Sequence, residues 1–175
     1  LSLLFRITQI LDSSIDLRDV VGPVLRALSE NTYIERGAIA LLNRETGEIS
    51  IESADGLSSE QKMKGRYRLG EGVTGKVVQT GKPVVVPKIS EEPMFLDKTG
   101  ARKGANLTDL SFVCVPVKLG NKVIGTLSAD MPFSEKTSLE DNVRFLSIVA
   151  SLLSQAVRLR RSAQEERQRL LEENT

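Results

Sequence analysis

Histidine is absent from this chain of 175 residues, and cysteine occurs once, at Cys114. Without histidine, the commonest metal ligand and the commonest general base are both missing. No structural zinc site, Cys-His pair or Ser-His-Asp triad can be built from what remains, and haem ligation through histidine is excluded too. A single cysteine has no partner for an internal disulfide, which agrees with a cytoplasmic, reducing location. No apolar run approaches the roughly 18 residues of a membrane span, and nothing resembles a signal peptide. An excess of charge of one sign is lacking as well, since 24 Lys and Arg face 23 Asp and Glu. That balance gives no electrostatic case for nucleic acid or a membrane surface as a direct partner. These absences weigh against an enzyme and leave a single domain long enough to enclose a core.

The chain opens inside an apolar run at Leu1 and closes inside a charged helical run at Thr175, the pattern expected of a segment excised from a longer protein. Leu4, Ile7, Ile10 and Leu11 fall at helical spacing and predict an amphipathic helix to about Ser13. A second helix is expected after Asp16 as N-cap, with Val20, Val21, Val24, Leu25 and Leu28 inside and Pro23 tolerated in its first two turns. The period then changes. GAIALLN, a turn at RETG and EISIESADG read as an antiparallel hairpin with Gly47 in a left-handed position. A short helix over SSEQKMKG follows, and PVVVP reads as a short buried strand. Residues 89 to 110 are polar and rich in turn formers, the composition of a lid or binding loop. Asp97 and Asp109 are expected to cap turns there. SFVCVPVKLGNKVIGTLSADM is the clearest hairpin, with Val113, Val115, Val117 and Leu119 alternating before a Gly120-Asn121 turn. A final helix is expected to open at Ser138, whose SLED fits a capping box with Asp141. Two hairpins among helices predict an α+β fold, with a mainly antiparallel sheet and the helices gathered on one face.

Residues 70 to 77, GEGVTGKV, approach two nucleotide-binding patterns. Gly70, Gly72 and Gly75 fit G-x-G-x-x-G, and Gly70, Gly75 and Lys76 fit the start of a phosphate loop. A phosphate loop needs a buried apolar strand before it and Ser or Thr after the lysine. Here Arg66, Tyr67, Arg68 and Leu69 precede it and Val77 follows. A dinucleotide site needs a parallel βαβ unit and an acid about 20 residues on. Asp97 has the spacing, but PVVVP and an antiparallel sheet do not fit. The glycines instead permit a tight entry at Gly70 and Gly72 and a helix cap at Gly81.

RYRLGEGVTGKVVQTGKPVVVPKISEEPMFLD resembles the signature of GAF domains, small-molecule sensor modules, and is most similar to those of nitrogen-fixation-type transcriptional activators. FVCVPVKLGNKVIGTLSADMPF resembles that family's central hairpin. The resemblance covers residues 4 to 157. It implies a ligand pocket on the sheet face opposite the terminal helices, with Arg68, Val73, Thr74, Lys88, Met94, Phe95, Ser111, Cys114, Ser128 and Asp130 as candidate ligand-binding residues. No catalytic residue, metal or resident cofactor is implied. A small anionic effector is expected, held by Lys88 or Arg68 and by amides near Val73 and Thr74, with 2-oxoglutarate first and a cyclic nucleotide second. The cyclic-GMP type resembles N-K…F-x-x-x-D-E. Asn121 and Lys122 are present, but Phe133 is followed by Ser134, Glu135, Lys136 and Thr137. Cys114 is expected to be a buried small hydrophobe rather than a redox sensor, since it has no resolving thiol. Asp130 serves a turn or a ligand equally well on this reading.

Nothing breaks the last helix from Ser138 to about Glu173, which predicts roughly 50 Å of helix on a domain about 40 Å across. A GAF domain over 1–157 and a linker helix over 158–175 are therefore expected. Leu153, Val157, Ala163 and Leu170 form a weak seam, interrupted by Arg160 and Gln164, for pairing with a second copy. Glu165 and Arg169 have i,i+4 spacing. The resemblance further implies an AAA+ ATPase domain in the same full-length chain, which remodels polymerase carrying the sigma-54 factor, and leaves room for a regulatory protein. A ligand-free interaction module and a cyclic-nucleotide-binding GAF domain of a signalling enzyme remain as alternatives.

Overall fold

Residues 110 to 132 set the layers, because successive side chains of a strand point to opposite faces. The computed structural model describes residues 2–14, 18–55, 57–100, 102, 110–135 and 138–174. In it β5 (Leu110–Leu119) and β6 (Lys122–Pro132) form the long hairpin, and Gly120 in the turn adopts φ +61°. Val113, Val115, Val117, Leu127, Ala129 and Met131 face one side. Phe112, Cys114, Thr126, Ser128 and Asp130 face the other, paired as Cys114 with Ser128 and Phe112 with Asp130.

β1 (Arg36–Leu42) lies against β6, and β2 (Glu48–Ala54) and β3 (Arg66–Arg68) follow it outward, while β4 (Val84–Val86) flanks β5. The sheet therefore has six strands in the order β3-β2-β1-β6-β5-β4, with antiparallel pairs throughout. α1 (Leu3–Asp12), α2 (Arg18–Asn31) and α5 (Leu139–Glu173) cover the first face. They bury Ile7, Val24, Leu25, Leu28, Leu146 and Val149 against it. Three helix starts carry side-chain caps. Ser2 caps α1, and Ser138 of α5 accepts from the Asp141 amide at 3.3 Å. Ser58 and Gln61 exchange hydrogen bonds in a complete capping box on α3 (Ser59–Lys64). The expected N-cap of α2, Asp16, lies outside the described residues.

α4 (Gly72–Thr80) crosses the opposite face and packs Val73 and Val77 against Val86, Phe112 and Cys114. The three glycines have separate jobs in placing it. Gly70 and Gly72 take φ +80° and +63°, which only glycine adopts freely, and turn the chain from β3 into the helix. Gly75 faces the Arg68 carbonyl so closely that a Cβ would clash with it. The helix thus rests directly on strand backbone.

The structure adds local detail at four places. β3 was not legible as a strand, because RYR has no apolar face and pairs at the sheet edge with Glu48–Ser50. PVVVP forms an edge strand in which Val84 and Val85 are half-buried and only Val86 is buried. The segment from 89 holds a 3-10 turn at Ile89–Glu91, and Asp97 accepts from the Gly100 and Arg102 amides; Asp109 lies outside the described residues. Arg169 pairs with Glu166 at 2.6 Å and Glu173 at 4.0 Å rather than with Glu165, because its guanidinium reaches the i−3 and i+4 neighbours.

α5 carries 35 residues, about 52 Å at 1.5 Å each. Its last buried residue is Ala156, and residues 161–174 are exposed. Leu153, expected in a pairing seam, is buried in the domain's own core. Val157 is half-buried, and Ala163 and Leu170 are exposed. Arg160 reaches back to the Leu11 and Ser14 carbonyls at the C-terminal end of α1, so the residue that interrupts the seam ties the long helix to the first one.

Candidate functional site

A row of polar side chains along β6 is the unusual feature of the face beneath α4. Thr126, Ser128 and Asp130 are all buried there, flanked by Ala38 and Ala40 of β1 and by Phe112 and Cys114 of β5. Small neighbours on β1 leave space above the row. The space is a cavity of about 40 Å³ lined by Thr126, Ser128, Val73, Thr74, Tyr67 and Phe95, with Arg36, Arg102 and Asp55 as its charged walls. It has room for a few waters at about 10–15 Å³ each, against about 300–1,000 Å³ for a typical small-molecule pocket.

Arg102 is what fills the rest. Its Nε and Nη2 donate to the two oxygens of Asp130 at 2.7 and 2.6 Å, and its Nη1 donates to Asp97 at 2.9 Å. The guanidinium carbon sits 4.8 Å from the Phe95 ring and 5.6 Å from the Phe112 ring, and those rings meet edge to face at 4.9 Å. Fork geometry on a carboxylate and cation–π contact with aromatic rings both suit a guanidinium. Burial works against the Arg102 charge, yet the hydrogen bonds and charge of Asp130 and then Asp97 outweigh it, raising its pKa. Asp130 itself is wholly buried, and Arg36 Nη1 adds a second cation at 3.2 Å. A buried carboxylate is tolerated only when paired in this way.

Two further groups border the site. Tyr67 is pushed up to about 12, by burial first, with Arg102 pulling the other way. Burial likewise raises the Cys114 thiol to about 12, against small offsets from Thr126 and Thr74. A thiol so far from ionisation is a poor nucleophile. Lys98 binds the Glu71 carboxylate and the Arg66 carbonyl and so ties the loop to the start of α4; the hydrogen bond from Lys98 is the main cause lowering the Glu71 pKa.

Of the residues expected here, Val73, Thr74, Phe95 and Ser128 line the cavity. Asp130 anchors its floor through Arg102 and Arg36, and Cys114 lies in the adjoining apolar cluster. The others are elsewhere. Arg68 is exposed on the outermost strand. Lys88 stacks over Phe133 at 4.9 Å and lies 3.9 Å from Glu91. Met94 is exposed. Ser111 pairs with Met131 on the helix side of the sheet and donates to the Pro87 carbonyl at 2.6 Å, since strand alternation puts it opposite Phe112. Neither expected cation therefore reaches the cavity; Arg36 and Arg102 do.

The sequence carried one signal for these arginines. A buried strand reading T-x-S-x-D needs a donor for its carboxylate, and only Arg or Lys from another element can neutralise it. Nothing local says which one. Arg102 meets Asp130 across 28 residues and Arg36 meets it across 94.

Comparison with known proteins agrees with this architecture. The sequence profile described as GAF domain matches residues 14–158. The nitrogen fixation protein VnfA of Azotobacter vinelandii is 41% identical over 160 residues, which cover 91% of this chain and 31% of the relative. The Nif-specific regulatory protein of Herbaspirillum seropedicae is 41% identical over 171 residues, 97% of this chain and 31% of the relative. The chain thus spans about a third of the length of these curated relatives. Among solved structures, the GAF domain of A. aeolicus nlh2 in an inactive state matches with a TM-score of 0.81 at 29% identity, over 90% of this chain and 94% of that one. A free methionine-R-sulfoxide reductase from Neisseria meningitidis, in complex with its substrate, shares the fold with a TM-score of 0.77 at 20% identity, over 92% and 89%. With the profile spanning most of its length and nitrogen-fixation regulators matching nearly all of it, the chain belongs to the GAF domain family, alongside the GAF domains of Nif-specific regulators.

Proposed function

We propose that this is a non-catalytic, cytoplasmic effector-sensing domain of a bacterial sigma-54-dependent activator. In this reading, occupancy of the cavity above Asp130 changes how the α5 helices of two copies pair, and the pairing regulates an AAA+ ATPase domain in the same full-length chain. The observation that carries it is the 41% identity to Nif-specific regulators over more than nine-tenths of the chain. The exposed, charged end of α5 supports the output step, because an exposed helix surface can take a partner. A ligand moves such an equilibrium only through unequal affinity for its two arrangements.

2-Oxoglutarate and a cyclic nucleotide are the effectors that the family resemblance proposes, and both require a cationic receptor. Arg36 and Arg102 stand nearest the cavity, but Asp130 already holds both. A second reading draws on that observation. A cavity of about 40 Å³, filled by the chain's own arginine, also suits an interaction module regulated by a partner protein.

Spin-label distances across the paired chains separate the two. Cys114 is buried and hard to ionise, so a label placed by Gln168→Cys on exposed α5 reports alone. The sensing reading expects 2-oxoglutarate, cyclic GMP, cyclic AMP, glutamine or agmatine, each at millimolar concentration, to move the distance distribution. A distribution unmoved by all five transfers the reading to the interaction module.

A further inference from the structure

We propose that the cavity recognises a compact organic cation, a guanidinium or amidinium group, and that Arg102 is a tethered occupant with which such a ligand competes. The proposal rests on the sensing reading above and deepens it.

The geometry around Arg102 is that of a finished binding site. A wholly buried carboxylate receives a guanidinium fork at 2.7 and 2.6 Å, and two aromatic rings contact the same group at 4.8 and 5.6 Å. The receptor and its occupant come from different parts of the fold. Asp130, Phe112 and Arg36 are fixed in the sheet ladder, where Arg36 pairs with Asp130 and Asp130 with Phe112. Arg102 belongs to no helix or strand and enters from the loop side. A free guanidinium of the same shape makes the same contacts.

Charge decides the ligand class. With the Arg102 side chain withdrawn, its two carboxylate partners Asp130 and Asp97 lose that cation, and among the described residues of the cavity wall Asp55 and Arg36 are the charges that remain, Arg36 already paired with Asp130. An anion seated there meets this acidic excess at short range, where the low dielectric magnifies repulsion. A cation meets a carboxylate already shaped to receive it. The withdrawn side chain also adds its own volume to the cavity of about 40 Å³.

Competition from a tethered group lowers apparent affinity by the fraction of time the site stands open. If Arg102 is out about a tenth of the time or less, its removal tightens cation binding about tenfold or more. A reading in which Arg102 is instead the receptor for an anion demands the opposite, since its removal then abolishes binding.

Calorimetric titration of the whole chain tests this. The probes are methylguanidinium, agmatine, the neutral isostere N-methylurea and 2-oxoglutarate. Arg102→Ala opens the site, and Arg102→Met, which keeps the apolar stem, is the second variant in case the first does not fold. The expected result is weak binding of both cations to the wild-type chain, binding at least about tenfold tighter in the Arg102 variants, and no binding of N-methylurea. A double variant, Arg102→Ala with Asp130→Asn, is expected to bind neither cation. N-methylurea binding as well as methylguanidinium overturns the proposal, as does failure of the cations to bind the wild type and both variants. Binding of 2-oxoglutarate to wild type and its loss in the Arg102 variants overturns it too, while leaving the sensing reading intact. Binding of cations without any response of the α5 spin labels separates the other failure, in which the site is real and the sensing reading is not.

Discussion

Alanine at Gly75 and alanine at Gly22 make the same chemical change in two helices, and the structure predicts opposite signs. At Gly22, in α2, a new Cβ meets, among the described residues, only the end of the Arg26 side chain at 3.7 Å. Replacing glycine by alanine inside a helix then gains about 0.5–1 kcal/mol from reduced backbone freedom in the unfolded chain. At Gly75 the new Cβ lies more than half an ångström inside 3.0 Å from the Arg68 carbonyl oxygen, and 3.1 Å from the Gly70 nitrogen. Both neighbours are backbone, so no rotamer change relieves the contact. Overpacking of this kind costs about 1–3 kcal/mol, and backbone partners favour the upper end. Subtracting the alanine gain leaves a net loss of about 2 kcal/mol. At roughly 2–4 °C per kcal/mol for a chain of this length, Gly75→Ala lowers Tm by about 4–8 °C and Gly22→Ala raises it by about 1–4 °C. Thermal unfolding followed by circular dichroism reads both. Equal Tm values for the two variants refute the assignment of the third glycine to close packing of α4 on β3.

Asp130→Asn keeps the shape of the site but leaves the buried Arg102 without its main counter-charge, and a broken buried pair costs about 3–5 kcal/mol. Urea unfolding checks it, and a loss under 1 kcal/mol contradicts the described pairing. Arg160→Ala removes the donor to the Leu11 and Ser14 carbonyls and is expected to cost about 1–3 kcal/mol. Amide exchange then accelerates in α1 and stays unchanged in β5; uniform acceleration contradicts a local tie. Alkaline pH is expected to destabilise the domain. Cys114 and Tyr67 each hold their protons to about 12 in the folded state, whereas the unfolded chain releases them near 8.5 and 10. Unfolding therefore releases protons, so this contribution is complete below about pH 8 and is lost as pH rises through about 12. Urea midpoints that fall between pH 8 and 11, with a shallower fall in Tyr67→Phe, are the expected result, and a flat profile refutes it.

The layers of this fold were legible because β5 alternates from Ser111 to Val117 and β6 from Gly125 to Met131, up to the register shift between Val117 and Lys118 near the turn. Val113, Val115 and Val117 mark one face as surely as Thr126, Ser128 and Asp130 mark the other. β3 was not, since Arg66–Arg68 owes its strand conformation to pairing with β2 and carries no apolar signature of its own. Strand parity placed Ser128, Cys114 and Asp130 on the cavity side and excludes Ser111, a distinction that a motif match does not make. Lys88 and Arg68 drew attention as cations beside the glycine motif, yet sequence proximity to that motif does not decide where a long side chain points. Arg102 stayed invisible for the complementary reason. It lies in a polar loop with no periodicity, and only the folded sheet brings Asp130, Phe95 and Phe112 to one place. Leu153 fitted a pairing seam by spacing, but the same spacing serves packing on the helix's own sheet, which takes it.

Thermal unfolding of the chain with each of 2-oxoglutarate, cyclic GMP, cyclic AMP, glutamine and agmatine at millimolar concentration tests the central claim, that the space above Asp130 is an effector site. A ligand at 100 times its Kd adds about 2.7 kcal/mol, a rise in Tm of roughly 5–10 °C for a domain of this size. The account predicts such a rise with one compound and its loss in the variant lacking both Arg102 and Asp130 side-chain charges. No rise with any of them contradicts it and leaves the domain as a module that answers to a protein partner.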